Sequence, residues 1–359
     1  MADEKDRKSG AIQNTCIGFV LIGRNEGERL RNCVDSIVEQ LLLINRDKKQ
    51  GPDLSGTSDV FPIVYVDSGS TDGSVTYATS AGCTVLELDL REPFTAARAR
   101  NEGLKLLINK FPQVELIQFI DGDCSLQPGW LGKATAFLAV NPKVAIVCGR
   151  RREVYPQKSI YNALCDMEWD TPVGEAKACG GDFLVRKEAI LSVKGFNPAM
   201  IAGEEPEMCL RLRKRKWAIW RIHEEMTLHD ADMTSFRQFW LRNARAGFAY
   251  AERWLMHSTR IRPYCKRELL SICFWGGFLP ISIVLFMATM PVLGFALALA
   301  YPLMTIRIFL RRMKMRSSVR KSLIFSGLTQ IGKFPQFFGV LKFTAGTLSG
   351  KSTPIIEYK

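Results

Sequence analysis

The chain has 359 residues, which is more than one small core needs, so we expect a main domain of roughly 250 residues and an appended region. The formal net charge is +13, and all of it lies in the last 103 residues, where 15 Lys and Arg face two Asp and Glu. Because this segment is apolar between its charges, we expect an anionic lipid surface, and no nucleic acid, as its partner. Oligomeric state is left open.

Residues 1–15 are polar and charged and lack the apolar core that a signal peptide needs. We therefore expect the domain that follows to start in the cytosol. The ten cysteines contain no C-x-x-C pair, and several lie in apolar runs. They are typical of reduced structural thiols, and neither a disulfide framework nor zinc ligation is indicated.

From residue 16 onward strands alternate with helices, which predicts an α/β fold with a mostly parallel sheet wrapped by helices. Strands are expected at 16–22, 61–66, 84–88 and 114–120, helices at 28–43, 74–81 and 96–109, and a polar surface loop at 45–59. Ligands of such sheets bind beyond the carboxyl ends of the strands. The polar turns at Arg24, Asp67 and Asp121 follow three of these strands, so we expect them in one pocket.

The triplet Asp121-Gly122-Asp123 follows an apolar run and places two carboxylates on one turn. Hard divalent cations prefer oxygen ligands and often share them with substrate phosphates, so the triplet predicts a cation site for chemistry with a phosphate leaving group. Solvated acidic turns show the same pattern, and the triplet alone does not decide between the two.

Five segments occur in the order and spacing of family 2 glycosyltransferases with the GT-A fold, and residues 16–254 resemble that family. The segments are GRNEG at 23–27, VDSGSTDGS at 66–74, ARARNEG at 97–103, DGD at 121–123 and GEEPEMCLRLR at 203–213. The resemblance implies a sugar transfer from a nucleotide-diphosphate donor, with a UDP-sugar favoured. It also implies inversion at the anomeric carbon and a Mg²⁺ or Mn²⁺ ion.

The resemblance further implies a set of donor-binding residues. They are Arg24, Asn25, Glu26, Asp67, Arg98, Arg100, Asn101, Asp121, Gly122, Asp123, Arg242 and Arg245. Asp123 is the first choice for direct metal ligation, and Asp121 is assigned to the ribose or to the metal's water shell. Structural alternatives stay open: Glu26 as a charge at a helix start, and the arginines as solvated side chains on helices. Ser70, Thr71 and Asp72 are assigned mainly to helix capping.

Glu204 and Glu205 form a second acidic group. An inverting transfer needs a base beside the acceptor hydroxyl, and family members usually place the Asp of a Glu-Asp pair there. Glu205 stands at that position, so it is the expected base, and Glu204 is the alternative. The alternative is that both glutamates supply the negative charge that favours a helix N-terminus. Pro206, near the start of the helix expected over residues 208–215, fits that alternative equally well.

A small-residue segment resembles the family's region beneath the acceptor. The residues expected there are Trp169, Asp170, Gly180, Gly181 and Asp182. Some GT-A enzymes use a histidine as a metal or phosphate ligand near the position of His229, which makes His229 a candidate ligand beside Asp121 and Asp123. A purely structural histidine is the alternative.

Residues 269–306 contain no charged side chain and are flanked by basic residues on both sides. One bilayer crossing takes about 20 apolar residues, so this stretch predicts a tight hairpin of two spans, with both ends cytoplasmic by the positive-inside rule. Residues 323–348 carry two lysines and a proline and predict an interfacial segment. Because prolines leave each span marginal in length, a buried hairpin of a soluble protein, or two interfacial helices, is the alternative.

The sequence thus predicts a polar tail at 1–15, a GT-A domain at 16–256 and a basic membrane-association region at 257–359. The expected protein is a glycosyltransferase at the cytoplasmic face of the cell inner membrane, acting on a hydroxyl or phosphate of a lipid-linked or polysaccharide acceptor. One alternative is a nucleotidyltransferase of related fold, although GRNEG offers little of the Gly-rich basic loop that a triphosphate needs. The other is a non-catalytic adaptor that binds nucleotide-sugar or lipid, suggested by a glutamate at position 205.

Overall fold

The computed structural model describes residues 15–48, 62–92, 95–258, 264–315 and 317–350. Residues 1–14 of the predicted tail and 49–59 of the predicted loop lie outside the described residues. The chain divides into two compact units. The first comprises residues up to 154 together with 169–200 and 204–230, and the second comprises 155–168, 201–203 and the residues from 231 onward. The predicted domain boundary at residue 256 stays a prediction.

The first unit is built on a sheet of nine strands. They are β1 (Ile17–Gly23), β2 (Ile63–Asp67), β3 (Thr84–Glu87), β4 (Leu116–Asp121), β5 (Cys124–Leu126), β6 (Val144–Glu153), β7 (Gly174–Glu175), β8 (Phe183–Arg186) and β9 (Ala218–His229). Its helices are α1 (Glu28–Lys48), α2 (Ser74–Ser80), α3 (Ala96–Lys110), α4 (Trp130–Val140), α6 (Lys187–Ser192) and α7 (Glu204–Lys214).

The strand order is β3-β2-β1-β4-β8-β6-β9-β5, with β7 paired to β9. Strands β3, β2, β1 and β4 run parallel to one another, β8 is antiparallel to both β4 and β6, and β6 is parallel to β9. The register pairs Gly23 with Asp67 and Ile22 with Asp121. The turns after β1, β2 and β4 therefore leave the sheet at one edge.

Two predicted element boundaries are wrong. Helix α1 continues to Lys48 and includes residues 45–48 of the predicted loop, because no glycine or proline interrupts the sequence before residue 51. Helix α7 begins at Glu204, four residues before the predicted start. Pro206 is tolerated in its first turn, where a backbone N–H has no intrahelical acceptor. Both candidates for the catalytic base, Glu204 and Glu205, thus lie on the helix itself.

The second unit is helical in the part that the structure describes. Its helices are α5 (Ile160–Glu168), α8 (Phe236–His257), α9 (Lys266–Cys273), α10 (Leu279–Thr289), α11 (Pro291–Ala298), α12 (Ala300–Lys314), α13 (Val319–Ile331) and α14 (Lys333–Ser349), with a π-helical turn at Phe274–Phe278. Helices α8 and α14 cross closely at Gly247 and Gly339, where an added Cβ would collide with the backbone of Gln336 and Ala244. These glycines let the two backbones touch.

Two continuous helical stretches of this unit, Lys266–Thr289 and Pro291–Lys314, are each 24 residues long and apolar enough to cross a membrane by length and composition. The break between them falls at Met290, and Pro291 opens the next helix, as proline does at a first helical position. Many of their large apolar side chains are exposed, with Val284 71% and Val292 85% accessible. Such a surface is suited to an apolar surrounding.

Candidate active site

The turn Asp121-Gly122-Asp123 connects β4 to β5 at the carboxyl edge of the sheet. Gly122 N–H donates to the Ile22 carbonyl over 2.8 Å, which ties the turn to the end of β1. A Cβ on Gly122 would come within 3.1 Å of that carbonyl oxygen and 3.3 Å of Glu26 Cγ. Asp123 is buried, whereas a quarter of the Asp121 side chain is exposed. The two carboxylates of the triplet therefore have different environments.

Asp123 meets His229, the last residue of β9, with Asp123 Oδ2 3.1 Å from His229 Nε2. Strand pairing sets this contact, because β5 places Cys124 opposite His229. Trp169 stacks on the imidazole at a ring-centroid distance of 4.6 Å. Burial and the charge of Arg151 lower the pKa of His229 to about 4. The ring is therefore neutral at neutral pH, which is the form that binds metals.

The Asp123–His229 pair fits a divalent cation. Two neighbouring ligands of an octahedral ion with bonds of about 2.1 Å lie about 3 Å apart, close to the 3.1 Å between Asp123 Oδ2 and His229 Nε2. The other ring nitrogen, Nδ1, is buried and accepts or donates no hydrogen bond among the described residues. The carboxylate suits both Mg²⁺ and Mn²⁺, and the imidazole suits Mn²⁺ better than the oxygen-preferring Mg²⁺.

Asp121 faces a different partner, the guanidinium of Arg100 on α3. Arg100 Nη2 donates to Asp121 Oδ1 over 2.6 Å, and its Nη1 donates to Glu204 Oε1 over 2.7 Å. Burial disfavours the charge of Arg100, but the two carboxylates outweigh it and raise the pKa of the guanidinium. One buried arginine therefore joins the two acidic groups that are 83 residues apart in the sequence. Arg100 lies in the second turn of α3 and not at its free N-terminus.

Asp182 supports the turn from below and is fully buried. Its Oδ1 accepts the Asp121 N–H over 3.1 Å, while Oδ2 accepts from Thr227 Oγ1 and pairs with Arg151 Nη2, each at 2.8 Å. Asp182 therefore holds Asp121 in place. The sequence analysis did not single out Arg151, although three consecutive arginines at the end of an otherwise apolar strand, β6, were a signal for it.

Asp182→Ala is expected to destabilise the protein by about 3–5 kcal/mol, because it leaves the buried charge of Arg151 without its main partner. Denaturant-induced unfolding measures the change. Glu225→Ala is the matched control: its ion pair with Arg152 is half exposed on both sides, so its loss is expected to cost at most about 1 kcal/mol. Equal effects of the two variants would contradict a supporting role for Asp182.

Glu205 is buried beneath the segment that begins at Cys179. Its Oε1 accepts the Cys179 backbone N–H over 2.6 Å and lies 3.0 Å from the thiols of both Cys179 and Cys209. Burial raises the pKa of both thiols, that of Cys209 to about 12. They are therefore protonated at neutral pH and act as hydrogen-bond donors to the carboxylate, which fixes its orientation.

Gly181 lies close to both Asp121 and Arg151. A Cβ there would come within 2.6 Å of Asp121 Oδ2 and 3.0 Å of Arg151 Nη2. Gly180 has φ +84°, in the left-handed region that favours glycine. Asp170, the neighbour of Trp169, is mostly exposed and lies 3.4 Å from Arg150 Nε. The acceptor role predicted for these residues and for Asp182 stays a prediction.

Asp67 ends β2 and holds the turn that follows it. Its Oδ2 accepts the N–H groups of Gly69 and Ser70 at 2.8 and 2.7 Å, and its Oδ1 accepts from the hydroxyls of Tyr65 and Ser70 at 2.9 and 2.5 Å. Four hydrogen bonds match the number of acceptor positions on a carboxylate. In this arrangement Asp67 is a turn-forming residue, and its predicted contact with a nucleotide base stays a prediction.

The first loop is bonded to this turn through Asn25. Asn25 N–H donates to Ser70 Oγ over 2.8 Å, and its Oδ1 accepts the Thr71 N–H over 2.7 Å. Arg24 and Asn25 are exposed, whereas Glu26 pairs with Arg29 one turn along α1, at 2.9 Å. The loop therefore presents Arg24 and Asn25 at the same edge as Asp121.

The two other residues predicted on α3 have partners within the protein. Arg98 Nη1 donates to the carbonyls of Asp89 and Glu92, each over 3.0 Å. Asn101 exchanges two hydrogen bonds with the backbone of Phe196, at 2.8 and 2.9 Å. These contacts anchor neighbouring loops, and donor binding by both residues stays a prediction.

Arg242 and Arg245 lie on α8 in the second unit, so they are described apart from the site above. Arg242 Nη1 pairs with Glu168 Oε2 over 2.7 Å, and Arg245 Nη2 donates to the Ile201 carbonyl over 3.1 Å. Both partners belong to the same unit. Their predicted contact with the donor diphosphate stays a prediction.

Comparison with known proteins gives the following similarities. Residues 19–177 match the model of a family described as Glycosyl transferase family 2. No curated protein sequence matches the chain. A mannosyltransferase from Pyrobaculum calidifontis, PcManGT, solved with GDP-Man and Mn²⁺, is 14% identical and has a TM-score of 0.57 over 95% of this chain and 89% of that chain. This likeness confirms the predicted fold class, a GT-A α/β domain with helices after it.

Two further structures are similar over part or most of the chain. Glucosyl-3-phosphoglycerate synthase from Mycobacterium tuberculosis is 18% identical, with a TM-score of 0.45 over 68% of this chain and 81% of that chain. Residues 1–349 of S. aureus TarS are 12% identical, with a TM-score of 0.45 over 94% of this chain and 92% of that chain.

Proposed function

We propose that the protein is a glycosyltransferase that transfers a sugar, with inversion, from a nucleotide-diphosphate donor to a membrane-associated acceptor. The match of residues 19–177 to the glycosyl transferase family 2 model and the GT-A fold support this proposal. The acceptor is a hydroxyl or phosphate of a lipid-linked or polysaccharide substrate. A divalent cation assists the transfer. The observation that carries the proposal is the bridge that Arg100 makes from Asp121 of the metal-site turn to Glu204, beside the proposed base.

Asp123 and His229 would hold the cation, which supplies positive charge to the diphosphate as it leaves. Imidazole nitrogen is a better ligand for Mn²⁺ than for Mg²⁺, so we favour Mn²⁺, the ion found with GDP-Man in the Pyrobaculum enzyme. Asp121 lies beside Arg100 and Arg151 and would accept a hydrogen bond from a ribose hydroxyl or from a metal-bound water. Asp182 keeps Asp121 at the position that this task needs.

Glu205 is the proposed base that takes the proton of the acceptor hydroxyl. Its Oε1 is held by one backbone N–H and two thiols, so the direction of the carboxylate is set before the acceptor binds. Glu204 is held by Arg100 instead. Because one oxygen of Glu204 is already engaged by the Arg100 guanidinium, we keep Glu204 as the alternative base.

We place the reaction at the cytoplasmic face of a membrane, with the stretches Lys266–Thr289 and Pro291–Lys314 as the anchor. Their exposed apolar side chains support insertion, and the basic residues on both flanks support contact with anionic lipid and a cytoplasmic location for both ends. An acceptor carried by a lipid would then reach the enzyme by diffusion in the same bilayer.

The variant Ile281→Lys/Leu299→Lys is expected to release the protein from membranes. Each lysine costs about 2.5–3.5 kcal/mol near the bilayer centre, and both residues lie near the middle of the uncharged parts of the two stretches and are largely exposed. The measurement is the fraction retained in the membrane pellet after an alkaline carbonate wash. Val140→Lys, which changes an exposed valine at the end of α4, is the control and is expected to leave retention unchanged. Full retention of the double variant would contradict the proposed anchor.

The proposed activity is tested with a panel of UDP- and GDP-sugars, each with Mn²⁺, Mg²⁺ or a chelator. A donor that binds only the folded state raises the apparent stability of the protein, by about 2.7 kcal/mol when the donor concentration is 100 times Kd. Thermal unfolding therefore identifies the donor. The selected donor is then incubated with lipid extracts, and release of UDP or GDP is measured. Metal-dependent nucleoside diphosphate release with a glycosylated product is expected. In a parallel incubation with a nucleoside triphosphate and a sugar phosphate, release of pyrophosphate would favour a nucleotidyltransferase. Binding of a nucleotide-sugar without turnover would favour an adaptor.

A further inference from the structure

Three ligand-type side chains meet in the first unit away from the Asp123–His229 pair. Cys179 Sγ and Cys209 Sγ are 3.6 Å apart, and each lies 3.0 Å from Glu205 Oε1. Glu205 and Cys209 are one helical turn apart on α7, while Cys179 comes from the segment after β7. Sequence spacing does not indicate this cluster, because 30 residues separate the two cysteines.

The two sulfur atoms have nearly the spacing of two ligands in a zinc coordination tetrahedron, and Glu205 Oε1 lies about 0.5 Å closer to each sulfur than that geometry requires. With Zn–S bonds of about 2.3 Å and Zn–O bonds of about 2.0 Å, two sulfurs lie about 3.8 Å apart, and a sulfur and an oxygen about 3.5 Å apart. The sulfurs are therefore nearly at the required separation, and a small rotation of the Glu205 carboxylate provides the rest. Cys179 is partly exposed, whereas Cys209 is buried, so an ion can enter from the Cys179 side.

We propose that Cys179, Glu205 and Cys209 form a binding site for a thiophilic divalent cation, Zn²⁺, and that its occupation inhibits the enzyme. On binding, each thiol gives up one proton to the solvent, both sulfurs bind as thiolates, and a water completes the four ligands. No oxidant or reductant takes part. Glu205 then donates an oxygen lone pair to the ion and no longer accepts a proton from the acceptor.

Binding at this site does not depend on the proposed function, but inhibition does, since it requires Glu205 to be the base. The two cation sites differ in chemistry: two sulfurs and one carboxylate select a soft ion, and a carboxylate with an imidazole accepts Mn²⁺. Saturating Mn²⁺ therefore leaves the thiol site available to trace Zn²⁺.

Binding is tested with Co²⁺ as a spectroscopic probe on the full-length, reduced protein freed of reductant. Thiolate coordination gives intense near-ultraviolet absorption that carboxylate and imidazole ligands do not give. We expect this absorption, and its displacement by one equivalent of Zn²⁺. It should be lost in Cys179→Ala and in Cys209→Ala, and kept in Asp123→Ala and in the control Cys83→Ala, which removes another buried thiol. Absence of the absorption, or its persistence in both cluster variants, would overturn the site.

Inhibition is tested separately, with donor turnover in saturating Mn²⁺. We expect low micromolar Zn²⁺ to reduce turnover at least tenfold and a chelator selective for Zn²⁺ to restore it. Raising the Mn²⁺ concentration should not weaken the inhibition by Zn²⁺, since the two ions use different sites. Thiolate absorption without inhibition would support the site and refute the role of Glu205, whereas inhibition without thiolate absorption would overturn the proposal.

Discussion

Asp123→Ala is expected to lower kcat/KM for sugar transfer about 10³-fold, the effect of removing one strong electrostatic contact to a developing anionic charge. Asp123 Oδ2 is one of the two ligand atoms, 3.1 Å apart, that would hold the cation. Without it, His229 alone cannot keep a metal beside the diphosphate. Steady-state release of UDP or GDP measures the loss, and Mn²⁺ affinity measured by electron paramagnetic resonance should fall in parallel.

The matched control for this variant is Asp35→Ala, which removes an exposed carboxylate on α1 that accepts a hydrogen bond from the Tyr77 hydroxyl over 2.9 Å. It is expected to keep full activity and full Mn²⁺ affinity. Metal-dependent turnover that survives in Asp123→Ala, with a folded protein, would show that the cation is held elsewhere. The next candidate would then be Asp121, whose carboxylate faces Arg100.

Glu205→Gln is expected to lower kcat by about 10²–10⁴-fold, the usual contribution of a general base, while leaving donor affinity unchanged. Glutamine suits this test because its amide oxygen can still accept from the Cys179 N–H and from both thiols. The local structure is then kept, and only the ability to take a proton is lost. Rapid-quench kinetics measure kcat, and titration with the donor measures affinity.

Glu204→Gln separates the two glutamates. It weakens the contact with the buried Arg100, so we expect a loss of stability and a milder loss of kcat than in Glu205→Gln. If Glu204→Gln abolished transfer while Glu205→Gln kept it, the base would be Glu204. Equal activity of both variants and the unchanged protein would mean that neither residue takes the proton.

The order of strands and helices from β1 to β4 was predictable, because alternating apolar runs and polar turns are typical of a parallel sheet wrapped by helices. Strand β1 and helix α3 each differ from the predicted bounds by one residue at most. The apolar hairpin was equally predictable, because a long stretch of residues without charged side chains indicates it directly. The start of α7 was missed because a proline in a first turn resembles a proline that precedes a helix.

Partners of individual side chains were much less predictable. Donor binding by Arg100 stays a prediction, and only the fold shows that the guanidinium lies between Asp121 and Glu204. The acceptor role of Asp182 also stays a prediction, and only the fold shows that this residue lies under the turn and pairs with Arg151. Pairing of this kind joins residues from different strands and helices, and sequence spacing carries no information about it.

By itself, the sequence determined the fold class, the family resemblance and the place of the acidic turns at one edge of the sheet. These follow from local patterns of apolar and polar residues and from short motifs. Only the tertiary structure decided that Asp123 meets His229, that Arg100 joins two acidic groups, and that Glu205 lies between two thiols. Such contacts depend on strand register and helix packing, which fix distances between residues far apart in the chain.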